Sequence, residues 1–127
     1  GSKHVAPCRV LLVDGDSARA RQVIDLLGQP SPDCAGKVIV SVVKSGWFAL
    51  LEVAKRAPDV IVIDVRLALH RTFDFFDAVL CDPEIARRVC LIAISEQRHK
   101  HTLPRAVTLL RNPVSATGIV RAIRRIG

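Results

Sequence analysis

A chain of 127 residues, half of them hydrophobic, is the size of one domain with a continuous core. No run reaches the roughly 18 apolar residues of a membrane-spanning helix, and no signal-peptide pattern is visible. The net charge of +7 is uneven: residues 1–86 carry 10 Lys/Arg against 11 Asp/Glu, whereas residues 87–127 carry 9 against the single acid Glu96. Such asymmetry suits an acidic partner, a nucleic acid or simply a solvated face.

In chain order, Gly1-Ser2 reads as a cleavage scar, residues 1–7 as an N-terminal extension, and residues 8–127 as the domain. With no Met anywhere, the expectation is a piece of a longer protein. Arg9-Val-Leu-Leu-Val-Asp14 is a strand ending in a carboxylate. Asp16 or Ser17 caps a helix over 17–27, with Ala20, Val23, Ile24 and Leu27 on one face and Gly28 as its stop. Residues 29–36 are a loop by their turn chemistry, followed by a second strand, Lys37–Val43. Gly46 precedes a helix over about 47–57 with Leu50, Val53 and Ala54 inward and Trp47 read as a packing residue.

Pro58 leads into the third strand, Asp59-Val-Ile-Val-Ile-Asp64, which again ends in a carboxylate. Residues 73–81 read as a short helix holding Phe73, Phe75 and Phe76, and Pro83 begins a turn. A fourth strand spans Arg88–Ser95 and a fifth Ala106–Leu110. The polar residues 96–105 between them, with Pro104, predict no stable helix. A last helix, about 115–126, buries Ala116, Ile119, Val120, Ile123 and Ile126 and turns Arg121, Arg124 and Arg125 outward. Unalternating apolar strands split by amphipathic helices predict an α/β fold with a parallel sheet covered on both faces. Its carboxyl edge, where ligands bind in such sheets, carries Asp14 and Asp64.

Cys8, Cys34, Cys81 and Cys90 form no CxxC pair and predict free thiols in a reducing cytoplasm. His99 and His101 flank Lys100, a poor setting for a metal. GxSxG, GxGxxG and P-loop patterns are absent, so hydrolase and nucleotide-binding readings have no support.

The order and spacing of Val-Leu-Leu-Val-Asp14, Pro58-Asp-Val-Ile-Val-Ile-Asp64, Leu91-Ile-Ala-Ile-Ser95 and Leu109-Leu-Arg-Asn-Pro113 resemble the receiver domains of two-component response regulators, over nearly all of residues 8–127. The resemblance implies a doubly wound, flavodoxin-like sheet of order 2-1-3-4-5, with a shortened or disordered fourth helix. It implies Asp64 as the phosphoacceptor, Asp14 as a Mg²⁺ ligand with it, and Ser95 as the hydroxyl beside the phosphoryl group. The second acid position holds Gly15, with Asp16 one residue further on as a substitute ligand or a cap; the usual Lys is Asn112, before a proline expected cis, and the aromatic switch is Leu109. Losing one carboxylate and the Lys removes the charges on which Mg²⁺ binding and phosphoryl transfer depend.

These features predict a pseudo-receiver: no enzyme, no cofactor or at most weakly bound Mg²⁺, and a regulatory interaction module. It would dock another domain of its parent or a partner protein through Arg105, Arg111, Arg121, Arg124 and Arg125, with a homodimer as a further option. The alternatives are a working phosphoacceptor at Asp64 in a phosphorelay, and cyclic-dinucleotide or nucleic-acid binding by the arginine-rich end. Four Phe, one Trp and no Tyr argue against direct nucleic-acid reading, and no membrane contact is expected.

Overall fold

The computed structural model describes residues 7–28, 37–70, 73–96, 103–111 and 114–124. Its elements are β1 (Cys8–Val13), α1 (Ser17–Leu27), β2 (Val38–Val43), α2 (Gly46–Lys55), β3 (Val60–Asp64), α3 (Val65–Ala68), β4 (Leu69–His70), β5 (Phe73–Asp74), α4 (Phe75–Leu80), α5 (Pro83–Arg88), β6 (Cys90–Ser95), β7 (Val107–Arg111) and α6 (Ala116–Arg124). Five strands form one parallel sheet in the order β2-β1-β3-β6-β7, which is 2-1-3-4-5 counted within the sheet.

The pleat sends alternate residues of each strand into two separate cores. Leu11, Val13, Ile61, Ile63, Leu91 and Ala93 meet α2, α3 and α4 on one face. Val10, Leu12, Val60, Val62, Ile92 and Ile94 meet α1 and α6 on the other. β3 is buried along its whole length, whereas the edge strands β2 and β7 are only half covered. Leu109 on β7 and Ile39 on β2 remain 41% and 44% exposed.

The structure moves several expected boundaries. Asp74 accepts hydrogen bonds from the backbone N–H groups of Phe76 and Asp77, so the helix starts only at Phe75. The two residues before it pair antiparallel with β4 instead. Asp82 and Pro83 open a complete short helix where a turn was expected; it takes Arg88, leaving the strand to begin at Cys90. The second helix starts one residue earlier than expected, with Gly46 inside it: a Cβ there would lie 2.9 Å from the Leu67 carbonyl oxygen and 3.0 Å from the Phe73 ring. This seating buries Ala49 and Val53 and packs Leu50 against the core, as expected for Val53 and Leu50, but leaves Ala54 exposed, which corrects that one expected inward residue; Trp47 is exposed and packs edge-on against Phe73. Ala122, not expected in the core, is buried beside Ile119.

Residues 103–106 contain no helix. The rest of the expected fourth-helix gap, the 29–36 loop, Cys34, His99, His101 and the Asn112-Pro113 bond lie outside the described residues, as do the side chains of Ala116 and Val120 and all of Ile126.

Phe75 and Phe76 are wholly buried and meet edge to face, with ring centroids 6.1 Å apart. Phe76→Ala is expected to cost about 3–5 kcal/mol in urea unfolding, because the cavity lies under α4 where several elements converge. Burial raises the Cys90 thiol to about 11, so it stays protonated at neutral pH, and the exposed Cys81 is expected to alkylate well before Cys90 in a mass-resolved iodoacetamide time course at mildly alkaline pH.

Candidate functional site

β1 and β3 are adjacent and parallel, with Val13 in register with Ile63. Their next residues, Asp14 and Asp64, therefore emerge side by side at the carboxyl edge of the sheet. They are the two buried charged residues among those described, at 4% and 8% exposure. Two buried carboxylates without a cation would repel each other and lose their hydration, a combination worth several kcal/mol.

The cation is Arg19, from the first turn of α1. Its Nε donates to Asp14 Oδ2 at 2.7 Å and its Nη2 to Asp14 Oδ1 at 2.7 Å, a two-pronged grip. The same Nη2 lies 2.5 Å from Asp64 Oδ2, and Nη1 donates to Glu96 just beyond β6. All three guanidinium nitrogens thus face carboxylates, and the Asp14 hydrogen bond, reinforced by the nearby charges of Asp14 and Asp64, raises the Arg19 pKa further above its already high value. Arg66, on α3, adds a second cation: Nη2 donates to Asp64 Oδ2 at 3.0 Å. Its own pKa is raised, chiefly by that hydrogen bond to Asp64.

Backbone groups use what remains. Asp14 Oδ1 accepts from the Asp16 N–H at 2.9 Å, and Asp64 Oδ1 from the Arg66 N–H at 2.8 Å, capping α3. Asp16 caps α1, accepting from the N–H groups of Ala18 and Arg19, and the Arg19 hydrogen bond leads in lowering its pKa. An open cleft lined by Gly15, Asp16, Arg19, Asp64, Arg66 and Leu67 lies over the cluster.

No family model matches the sequence, and no curated protein is similar to it. Solved structures give the kinship of shape. A two-component transcriptional regulator AraC from Clostridium phytofermentans ISDg superposes with a TM-score of 0.69 at 21% identity, over 94% of this chain and 90% of that one. A response regulator receiver domain protein from Bacillus halodurans C-125 gives 0.69 at 20% identity, over 96% and 98%. A sensor protein from Polaromonas sp. JS666 gives 0.71 at 17% identity, over 94% of each. The fold is that of the response-regulator receiver domain.

Within a receiver fold, the carboxyl edge is where a Mg²⁺ ion would be expected, and the residues present do not fit one. Mg²⁺ asks for six oxygens in near-octahedral array. Here Asp14 offers both oxygens to a guanidinium, Asp64 is shared between two arginines and a backbone N–H, and Asp16 caps its helix through Oδ1. The second acid position is Gly15, and among the described residues no group of three His, Cys, Asp or Glu side chains is placed to hold a metal. A divalent ion would have to displace Arg19 or sit against its charge.

Of the other expected receiver-pocket residues, Ser95 closes β6 in register with Arg111, and Asn112 lies outside the described residues. The expected basic face divides. Arg105 lies in the turn before β7 and Arg111 ends that strand, so they stand at its opposite ends. Arg121 is exposed on α6; the Arg124 side chain and Arg125 lie outside the described residues.

Arg19, Arg66 and Glu96 were not singled out by sequence reasoning. A signal for Arg19 existed. It occupies the third position of α1 after the Asp16 cap, where the helix dipole favours an acid and disfavours a cation by about 0.3–1 kcal/mol.

Arg19→Met is expected to destabilise the domain by about 2–3 kcal/mol in urea unfolding, since it strips the buried Asp14 of its guanidinium and leaves Asp64 to Arg66 alone. Adding Asp14→Asn should recover part of that loss, and a double-mutant cycle reads the coupling.

Proposed function

We propose that this domain is a pseudo-receiver: a signalling module of two-component type that works by protein contact and not by Mg²⁺-dependent phosphorylation. The observation that carries this reading is Arg19, whose guanidinium lies between Asp14 and Asp64 where a receiver fold would hold its metal. Asp64 at the end of β3 has the phosphoacceptor's position, yet its oxygens are spent on Arg19, Arg66 and the α3 cap. A phosphoryl donor would meet no divalent ion to neutralise its charge, and phosphoryl transfer depends chiefly on that neutralisation and on positioning.

The domain itself carries no catalytic chemistry in this reading. Its partners are other domains of its parent protein or a separate signalling protein, met in the cytoplasm; no helix of the described residues is long and apolar enough to cross a membrane. Arg105, Arg111 and Arg121 are exposed and offer an acidic partner several bidentate contacts along the β7–α6 side, to which Arg124 and Arg125 would add charge.

With acetyl phosphate or beryllofluoride and millimolar Mg²⁺, the native domain is expected to gain no phosphoryl mass and to show no amide shifts around Asp64. Stoichiometric labelling of Asp64 would overturn the proposal. Conversely, Gly15→Asp with Arg19→Ala is expected to create millimolar Mg²⁺ binding detectable by NMR titration. A Cβ on Gly15 would meet only the Lys44 carbonyl oxygen, at an ordinary 3.7 Å.

A further inference from the structure

One side of α2 is apolar and uncovered among the described residues. Trp47, Phe48 and Leu51 are 64%, 59% and 46% exposed. With the exposed Ala54 and Lys55 they form a continuous stripe at i, i+1, i+4, i+7 and i+8. Ile39 of the edge strand β2 is exposed as well, in a groove it shares with Glu52 and Arg56. Trp47 is braced from within the chain, its ring meeting Phe73 edge-on at 6.4 Å. Clustered large apolar groups on one element, unlike singly scattered ones, mark a contact surface.

The order of residues along the stripe identifies its occupant. When two copies of a helix pair antiparallel about a two-fold axis, a residue k positions before the centre faces the residue k positions after it. With the axis at Leu51, Leu51 meets its own counterpart, Phe48 meets Ala54 of the second copy, and Trp47 meets Lys55 of the second copy. The large ring is set against the small methyl, and the ammonium against the indole, the best aromatic acceptor of a cation. No like charges are opposed, whereas a parallel pairing would set Lys55 against Lys55.

We propose that α2 is a homodimer face, two copies of this chain packing antiparallel about Leu51. The seam is short, since nine residues of helix span about 12 Å, so the dimer is a concentration-dependent one.

Sedimentation velocity from low micromolar to millimolar protein is expected to show a monomer–dimer equilibrium. Leu51→Asp should weaken it by at least about tenfold. Ala54→Trp should weaken it comparably, although it adds apolar surface, because the new ring takes the seat of Phe48 from the other copy. Both positions are exposed, so far-UV circular dichroism should be unchanged in either variant. A chain that stays monomeric throughout the range overturns the proposal, as does a dimer indifferent to Leu51→Asp. Tighter association of Ala54→Trp would also overturn it, since that marks unspecific apolar sticking.

Discussion

Two carboxylates, buried side by side where adjacent parallel strands end, impose the constraint on which this molecule turns. β1 and β3 are almost wholly inside the protein, and their register leaves Asp14 and Asp64 little choice of position. Charges removed from water must find opposite charge or the fold is penalised. The chain answers from its own α1, reaching back with Arg19 to hold both acids and Glu96 at once. That one side chain ties the first helix to the central strand and to the exit of β6. It is also the observation on which the proposed function rests, since it lies where a receiver fold would hold a metal.

The division of the rest follows from the same sheet. Its central strands are sealed by helices on both sides, and its two borders are not. β7 borders the side on which the exposed arginines lie, and β2 adjoins the aromatic stripe of α2. The exposed arginines and the aromatic stripe therefore lie at the flanks, while the carboxyl edge, the usual place for a ligand in a doubly wound fold, holds internal ion pairs under an open cleft.

Much of this was legible in the residues. Five unbroken apolar runs and the helical spacing of Ala20, Val23 and Leu27 led directly to a parallel α/β sheet and to α1, because burial and periodicity are local properties of sequence, whereas the strand order came from the resemblance to receiver domains. Asp14 and Asp64 were readable as paired acids for the same reason, since each closes a strand, and the resemblance to receiver domains marked Gly15 as a missing third. Arg19 was not, because its partner carboxylate on β3 is 45 residues away and only folding joins them. Its awkward place in the first turn of α1 was the sole local hint. On α2, Val53 and Leu50 were placed correctly and Ala54 was not: it is as apolar as Ala49, and composition does not distinguish the two alanines, whereas the tight contact of Gly46 with Leu67 and Phe73 sets Ala49 on the buried side.

A counter-ion carried on the backbone differs in kind from one drawn from solution. Chelators do not strip it, dilution does not deplete it, and its effective concentration is set by the short stretch of chain between Asp14 and Arg19. The positive charge beside Asp14 and Asp64 is thus inherited with the polypeptide. If the domain works as proposed, its message would be written in which neighbours its surfaces can reach.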